Sequence, residues 1–340
     1  MALPTGVQGV FAPVNVTGLL LAKTDTRTPL FNMLGGVAVG AREFVVGSDF
    51  ELDTAEQPAI TEDDSMEAPD PSYDSPTQVK NVTQMFHRSV AASYRKQSNV
   101  DALTGLHLAG QENNVSNPLA FALANRTAEI RNDIEYTILN GVYNLATTSA
   151  QADKTRGLNA AITTNVTAAG GAELGPDMII EVARDIVARS PYGLDGIVGI
   201  LNAEQIVQLN KIVTNEGQRI GATAAGSALY SYLTPFGVVN FMQGGHRYQP
   251  NGTVTFARLG SCRNVLQPVP GKGNFFYEPL AKTGAAESGQ IFGQWGFDHG
   301  HEWLHAKITG LAETTAASTA PKVFVTNDAD APVYTYETGV

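Results

Sequence analysis

The sequence predicts an α+β fold in which a projecting β-hairpin, one long helix and an α/β body follow one another. Residues 41–60 and 78–97 alternate apolar and polar side chains, as strands do. Residues 117–143 repeat apolar side chains with helical spacing, and residues 176–214 show the pattern helix, buried strand, helix. The length of 340 residues corresponds to about two domain-sized bodies, and a hydrophobic fraction of 43% suffices to bury their cores.

Composition excludes several classes of protein. The single cysteine, Cys262, rules out a disulfide framework and a cysteine-based zinc cage, and it predicts synthesis in a reducing cytosol. No apolar run approaches the roughly 20 residues of a membrane span, and the N-terminus lacks the basic segment of a secretory signal. The formal net charge of −11 argues against a general nucleic-acid binder.

One segment carries the whole negative charge. Between Arg42 and Lys80 the chain has eleven Asp and Glu residues and no Lys or Arg, whereas acidic and basic residues balance elsewhere. The alternating stretches on either side are therefore expected to be the two legs of a long hairpin. Its tip, residues 61–77, is rich in acids, Pro and Ser and has nothing to bury, so the hairpin must project. Because an isolated two-stranded hairpin is marginal in water, we expect it to lie on another subunit.

The long helix is predicted from its start signal and its apolar stripe. Pro118 suits the first turn, and Ser116 or Asn117 is the expected N-cap. The stripe consists of Leu119, Leu123, Ile130, Ile134 and Ile138. Arg131 and Glu135 have the i,i+4 spacing of an ion pair on a polar face. At 1.5 Å per residue the helix would be a rod of about 40 Å, which is typical of a structural beam.

The body that follows is expected to combine helices with short strands. The predicted elements are helices at 176–189 and 203–214, a buried strand at 196–202, short strands across 236–290, a strand over 291–311 and a small strand at 322–326 in the tail.

His301-Glu302-Trp303-Leu304-His305 is a literal H-E-x-x-H motif. On a helix such a motif binds zinc through two histidines and uses the glutamate as a general base. Alternation with period two from Ile291 onward instead predicts that residues 299–305 are a strand, and Gly300 also disfavours a helix. Three interpretations stay open: a zinc hydrolase, an incidental metal site on a strand face, and a structural face of aromatic and histidine side chains.

The order of neutral arm, acidic hairpin, long helix, α/β body and returning strand resembles the major capsid proteins of tailed bacteriophages. This phage major head protein family has the Hong Kong 97-type fold. Five short motifs are similar to those of one branch of the family: Asp25–Phe31, Asn81–Phe86, Thr155–Leu158, Pro279–Gly284 and His305–Leu311. Leu30 is an insertion in the Thr-Pro-Phe that ends the first motif in the family. The matches span most of residues 25–311.

The resemblance implies a division of the chain into parts. Residues 1–40 would be an N-terminal arm, 41–97 an extended hairpin loop, 98–175 with 291–315 a peripheral domain, 176–290 an axial domain around five- and six-fold positions, and 316–340 a C-terminal tail. The helix at 117–143 would be the spine helix of the peripheral domain.

The resemblance also implies a structural protein that is not an enzyme and needs no cofactor. Its copies would assemble as pentamers and hexamers into an icosahedral shell around double-stranded DNA, without sequence-specific DNA binding and without a membrane. The shell would form in the host bacterial cytoplasm and become part of the virion, with scaffolding, portal and decoration proteins as candidate partners. The alternative is a zinc metallohydrolase that uses His301, Glu302 and His305.

In the family the extended loop lies across the spine region of a neighbour. The resemblance therefore predicts contacts between acids of the tip and basic side chains on and after the spine helix of the next subunit. The expected set is Glu62, Asp63, Asp64 and Glu67 on one side and Arg126, Arg131, Lys154 and Arg156 on the other. Each exposed pair would contribute about 0.2–1 kcal/mol.

Overall fold

The computed structural model describes residues 27–50, 52, 55–68, 75–95, 97, 118–216, 221–222, 229–242, 244–282, 284–312, 325–326 and 332–333. The sequence predictions for the arm before residue 27, for the segment 98–117 with its N-cap, and for most of the tail fall outside these residues. The chain forms two compact units. The smaller holds residues 27–28, 86–133 and 275–293, and the larger holds residues 29–85, 134–274 and 294 onward. None of the helices in the described ranges is long and apolar enough to cross a membrane.

The helices are α1 (Pro29–Met33), α2 (Pro118–Asn140), α3 (Leu158–Ala161), α4 (Pro176–Arg189) and α5 (Ala203–Glu216). The strands are β1 (Gly35–Ala38), β2 (Glu43–Asp49), β3 (Thr77–Val82), β4 (Gln84–Ser93), β5 (Val166–Ala168), β6 (Ile197–Ile200), β7 (Gly221–Ala222), β8 (Leu229–Thr234), β9 (Gly237–Met242), β10 (Val254–Arg258), β11 (Arg263–Leu266), β12 (Phe275–Pro279), β13 (Ala286–Asp298), β14 (Ala306–Thr309), β15 (Val325–Thr326) and β16 (Pro332–Val333). Short 3-10 turns occur at Asp64–Met66, Leu259–Ser261 and Glu302–Leu304.

A seven-stranded sheet forms the framework of the larger unit, with strand order β5-β14-β10-β6-β9-β8-β7. The pairs β14/β5 and β6/β9 are parallel, and the other neighbours are antiparallel. Every residue of β6 is buried, which is why that strand is a continuous apolar run. The buried strand predicted at 196–202 is confirmed.

Helices α4 and α5 supply much of the core beside this sheet. Pro176 lies in the first turn of α4, and Asp177 and Arg189 lie at the ends where the helix dipole favours their charges. The core cluster includes Ile179 and Ile186 of α4, Leu209 of α5, and Phe241 and Phe256 of the sheet. Both predicted helices are confirmed, and the second extends to residue 216.

Strand β13 has thirteen residues and pairs with a different partner in each half. In the smaller unit its N-terminal half pairs antiparallel with β12, from Gly289 opposite Pro279 to Gly293 opposite Phe275. Strand β4 also pairs with β13. In the larger unit the C-terminal half of β13 pairs antiparallel with β11, which in turn pairs parallel with β1.

Helix α2 has 23 residues, which corresponds to about 35 Å, and it ends three residues before the predicted boundary. Its Glu135 is fully buried, so the prediction of a polar face with an Arg131–Glu135 pair is wrong for Glu135. The Glu135 carboxylate accepts hydrogen bonds at 2.8 Å from the backbone N–H groups of Leu30 and Phe31 and lies 2.8 Å from His246 Nε2. It therefore stabilises the first turn of α1, whose N–H groups have no partner within their own helix.

The hairpin of β2 and β3 pairs from Glu43 opposite Val82 to Asp49 opposite Thr77, with a bulge between Val45 and Gly47. The prediction of one continuous strand over 78–97 is wrong. The strand is interrupted at Thr83, and the chain continues as β4, which pairs with β13. Thr83 explains the break. Its N–H bonds Arg42 O at 2.9 Å, and its hydroxyl donates to Gln267 Oε1 at 2.6 Å.

The returning leg is joined to the rest of the larger unit by Asn81, whose side chain is fully buried. Its amide nitrogen donates to Phe297 O at 2.7 Å and to Arg156 O at 3.1 Å. Its amide oxygen accepts from the N–H groups of Arg156 at 2.8 Å and Val82 at 2.9 Å. The amide thus uses two donors and two acceptor positions, its full capacity.

Beside Asn81, the segment after α2 crosses the end of that helix at very short range. A Cβ atom on Gly157 would lie 2.5 Å from Thr137 O and 2.6 Å from Gly141 N. The Gly157 N–H also bonds Gly141 O at 2.9 Å. This close backbone approach is the physical reason for a glycine after Thr155-Arg156.

We expect Gly157→Ala to lower the free energy of unfolding by at least about 2 kcal/mol, since the clashing atoms belong to backbone that cannot move aside cheaply. Urea titration of unassembled subunits measures the change. Gly40→Ala is the matched control, because a Cβ there meets nothing within 4 Å. Equal midpoints for the two variants would contradict the close crossing.

Candidate interaction site

Residues 299–305 form a turn, so the prediction of a strand there is wrong. Strand β13 ends at Asp298, whose side chain accepts a hydrogen bond from the Gly300 N–H at 2.9 Å. Gly300 has φ +67°, a left-handed conformation that ends the strand. The 3-10 turn Glu302–Leu304 follows, and β14 begins at Ala306. The motif therefore lies neither on a strand nor on the α-helix that a zinc site of this type requires.

His301 and Trp303 bind the hairpin at the end of its paired strands that is nearest the tip. His301 Nδ1 is hydrogen-bonded to Asp49 Oδ1, and Trp303 Nε1 donates to the same oxygen at 3.0 Å. The His301 ring also fills the space beside Gly47, where a Cβ would lie 3.0 Å from Nδ1. Asp49 is the last residue of β2, so this contact fixes the hairpin where its paired strands end.

Glu302 binds a separate segment. Its carboxylate accepts from the N–H groups of Thr163 at 3.0 Å and Thr164 at 3.3 Å, and from the Thr164 hydroxyl. Burial acts to raise the pKa of Glu302, but the hydrogen bonds from Thr164 and Thr163 outweigh it and hold that pKa below its ordinary value. The glutamate is an acceptor for backbone groups, which occupies the oxygens that a general base would need.

His305 and His299 are buried beside the end of β10. His305 Nδ1 accepts from Arg258 N–H at 3.1 Å, and its Nε2 donates to His299 O at 2.6 Å. Burial lowers the pKa of each histidine to about 4, so both rings are neutral at pH 7. Among the residues that the structure describes, no group of three His, Cys, Asp or Glu side chains is placed to hold a metal ion.

Cys262 is buried next to these histidines. Its Sγ lies 3.6 Å from Arg258 O and 3.7 Å from His299 O. Burial, aided by the charge of Asp298, raises the pKa of the thiol to about 12. The thiol is therefore protonated and packed as a small apolar group.

The acidic tip contains an ordered turn. The Thr61 hydroxyl donates to Asp64 Oδ2 at 2.7 Å and accepts from the Asp64 N–H at 3.1 Å, as in a capping box. The Thr61 hydroxyl and the Thr61 N–H both donate to the Asp64 carboxylate, and these two hydrogen bonds lower the pKa of Asp64. Glu62, Asp63, Asp64 and Glu67 are all exposed.

Two apolar side chains, Met66 in the tip and Ile60 directly before it, correct the expectation that this part of the hairpin has nothing to bury. Ile60 is 74% exposed and Met66 is 76% exposed, the two highest values among the large apolar side chains of the described residues. They flank the turn that presents the acids. A charged and apolar surface of this kind is typical of a segment that contacts another molecule.

The four predicted basic partners differ in availability. Arg126 is paired with Glu129 at 2.7 Å, and the Arg156 guanidinium lies 4.8 Å from the centre of the Tyr143 ring. Arg131 and Lys154 are exposed. Within the described part of the chain, no ion pair joins any of these four cations to an acid of the tip.

Comparison with known proteins gives one family. A family model described as SU10 major capsid protein matches residues 3–312. No curated protein sequence matches the chain significantly.

Three solved structures illustrate the similarity of fold. The cyanophage A-1(L) capsid has a TM-score of 0.57 at 10% identity, covering 91% of this chain and 100% of that chain. The capsid of a native GTA particle has a TM-score of 0.55 at 14% identity, covering 92% and 100%. The SrpI encapsulin complex from Synechococcus elongatus PCC 7942 has a TM-score of 0.55 at 12% identity, covering 92% and 98%. The chain has the Hong Kong 97-like capsid fold.

We expect Glu302→Gln to lower the free energy of unfolding by about 1 kcal/mol at pH 7, because charge-assisted hydrogen bonds to a partly exposed carboxylate are lost. The pKa of folded Glu302 is below its ordinary 4.5, so the stabilisation is complete above pH 4.5 and disappears as the pH falls through the folded value. The difference between wild type and variant should therefore shrink in acid.

Urea titrations of unassembled subunits at several pH values measure this difference. The control is Glu173→Gln, which removes an exposed pair with Lys211 and should change the free energy of unfolding by less than about 0.5 kcal/mol. A Glu302→Gln effect that stays constant down to pH 3 would contradict the assigned hydrogen bonds.

Proposed function

Because the chain belongs to the SU10 major capsid protein family, we propose that it assembles as pentamers and hexamers into an icosahedral shell that encloses double-stranded DNA. Its function is that of a bacteriophage major capsid protein, a structural component of the virion. The family match over residues 3–312 is the observation that carries this conclusion.

The parts of the chain have distinct roles in this proposal. Residues 1–40 act as the arm and residues 41–97 as the extended loop. Residues 98–175 and 291–315 form the peripheral domain around the spine helix, and residues 176–290 form the axial domain. The tail at 316–340 has no assigned role. The hairpin pairing of β2 with β3 and the length of α2 support the roles of loop and spine.

Contacts between copies follow from the surface of the tip. Glu62, Asp63, Asp64 and Glu67 of one copy meet basic side chains of its neighbour. Of the four basic residues that the resemblance indicates, Arg131 and Lys154 have the exposure that such a contact needs, whereas Arg126 is engaged by Glu129. Each pair is weak, but a closed symmetric shell repeats it many times.

The protein acts without catalysis in this proposal. Its balanced or acidic surface suits a container, since it does not bind tightly to packaged DNA. The shell forms in the cytoplasm of the bacterial host, and scaffolding, portal and decoration proteins are its candidate partners. The different partners of His301, Glu302 and His305 support a structural role for the H-E-x-x-H motif.

We expect the expressed protein, alone or with a scaffolding protein, to form capsomers or closed shells, because the tip exposes apolar side chains with no cover in their own chain among the described residues. Negative-stain microscopy and light scattering detect such particles. Zinc analysis of the same preparation is the control for the hydrolase alternative. A monomer under every condition, or one zinc ion per chain, would overturn the assignment.

Neutralising the tip should weaken the shell. We expect the variant Glu62→Gln, Asp63→Asn, Asp64→Asn, Glu67→Gln to give fewer particles than wild type at 0.1 M salt. The difference should shrink at 1 M salt, where the Debye length falls from about 10 Å to about 3 Å. Particle yield against salt concentration is the measurement.

A second variant separates contact from solubility. It neutralises four acids away from the tip and changes the net charge by the same amount as the tip variant. The four acids are Glu173, Glu181, Asp185 and Glu204. If both variants lose soluble subunits alike and neither alters particle yield per soluble subunit, the acids serve solubility and their contact role is wrong.

A further inference from the structure

A cleft of about 1450 Å³ lies between the tip-side end of the β2/β3 ladder and the 299–305 turn in the larger unit. Typical small-molecule pockets hold 300–1,000 Å³, so the size of this open cleft suits a short stretch of polypeptide better than a metabolite. Its lining includes Phe50 and Leu52 of the hairpin, Trp303 of the turn, and Arg189, Tyr192 and Arg258. It thus combines apolar, aromatic and basic side chains.

The two arginines give the cleft an anion-binding character. The Arg258 guanidinium lies 4.1 Å from the centre of the Tyr192 ring, and its Nη1 is buried without a hydrogen-bond partner in the described structure. Arg189 is exposed at the end of α4, and no ion pair in the described residues involves it. A buried guanidinium nitrogen without an acceptor is costly, and a carboxylate satisfies it well.

The two acids among the described lining residues, Asp49 and Glu302, already have hydrogen-bond partners. Asp49 accepts from Trp303 and bonds His301, and Glu302 accepts from Thr163 and Thr164. They therefore leave Arg189 and Arg258 available to a carboxylate supplied from outside the cleft.

We propose that this cleft receives the hairpin tip of a second copy of the chain, an inference that rests on the proposed shell function. The tip matches the cleft in both respects. Glu62, Asp63 and Glu67 supply carboxylates, while Ile60 and Met66 supply the most exposed large apolar side chains of the described residues. The turn is held in shape by Thr61 and Asp64, which reduces the entropy lost on binding.

In this proposal the cleft replaces Arg131 and Lys154 as the acceptor of the tip. Those two cations offer charge, whereas the cleft offers charge together with Phe50, Tyr192 and Trp303. Donor tip and acceptor cleft are different surfaces of one chain, so the contact is heterologous and repeats around a ring when the rotation closes.

Charge exchange in the full chain tests the proposal. We expect Arg189→Glu to raise the subunit concentration needed for particle formation about fivefold, and Glu62→Lys with Asp63→Lys to do the same. A chain carrying all three changes should return to within about twofold of wild type, because each basic tip then meets an acidic cleft. Arg184→Glu is the matched control on α4, since Arg184 is exposed and does not line the cleft.

Trp303 supplies a second measurement. Trp295 is fully buried, so a change of tryptophan emission on assembly reports mainly on Trp303. We expect a blue shift in wild type that is lost in Arg189→Glu and restored in the triple variant. Ile60→Ser with Met66→Ser should also reduce assembly, whereas Met85→Ser, which is exposed but outside the tip, should not.

Several results would overturn the proposal while leaving the shell function intact. The first is that Arg189→Glu forms particles as wild type does and has an unchanged melting temperature. The second is that the triple variant forms particles no better than its parents. The third is that Arg131→Glu with Lys154→Glu, in place of Arg189→Glu, restores particle formation to the chain with the basic tip. Failure of the wild-type chain to form particles under any condition would instead overturn the proposed function itself.

Discussion

The side-chain amide of Asn81 is the constraint on which the larger unit depends. It is fully buried, and its four hydrogen bonds reach the returning leg of the hairpin, the segment after α2 and the end of β13. A buried amide with any of these bonds missing would be destabilising, so the three segments must meet in one arrangement. The close crossing at Gly157 lies beside it and leaves no room for a different approach.

Much of this arrangement was predictable where local pattern decides structure. Helix α4, strand β6 and the pairing of β2 with β3 follow from spacing, caps and alternation. Glu135 was not predictable, since its partners Leu30, Phe31 and His246 are more than 100 residues away in the sequence. The prediction of an unbroken strand failed at Thr83 because this residue bonds Arg42 and Gln267, which are distant in the sequence. The prediction of a strand at 299–305 failed because the left-handed Gly300, bonded to Asp298, ends the alternating pattern.

The candidate contact surfaces show the same division. The acids of the tip were evident from charge alone, and the resemblance predicted a contact with a neighbouring copy. The cleft with Arg258 was not evident, because the stacking on Tyr192 and the buried Nη1 exist only in the folded chain. Local sequence also misled at His301–His305. Five consecutive residues that match a zinc motif instead connect the end of β2, the segment at 163–164 and the end of β10.

The buried thiol of Cys262 has a practical consequence. With a pKa of about 12, it has almost no thiolate at neutral pH, and its packing excludes alkylating reagents while the fold is intact. As the chain has no other cysteine, its native background of thiol reactivity is close to zero. A cysteine introduced at any exposed position would therefore accept a fluorophore or a cargo at that position alone, and late labelling of Cys262 would time the opening of the larger unit.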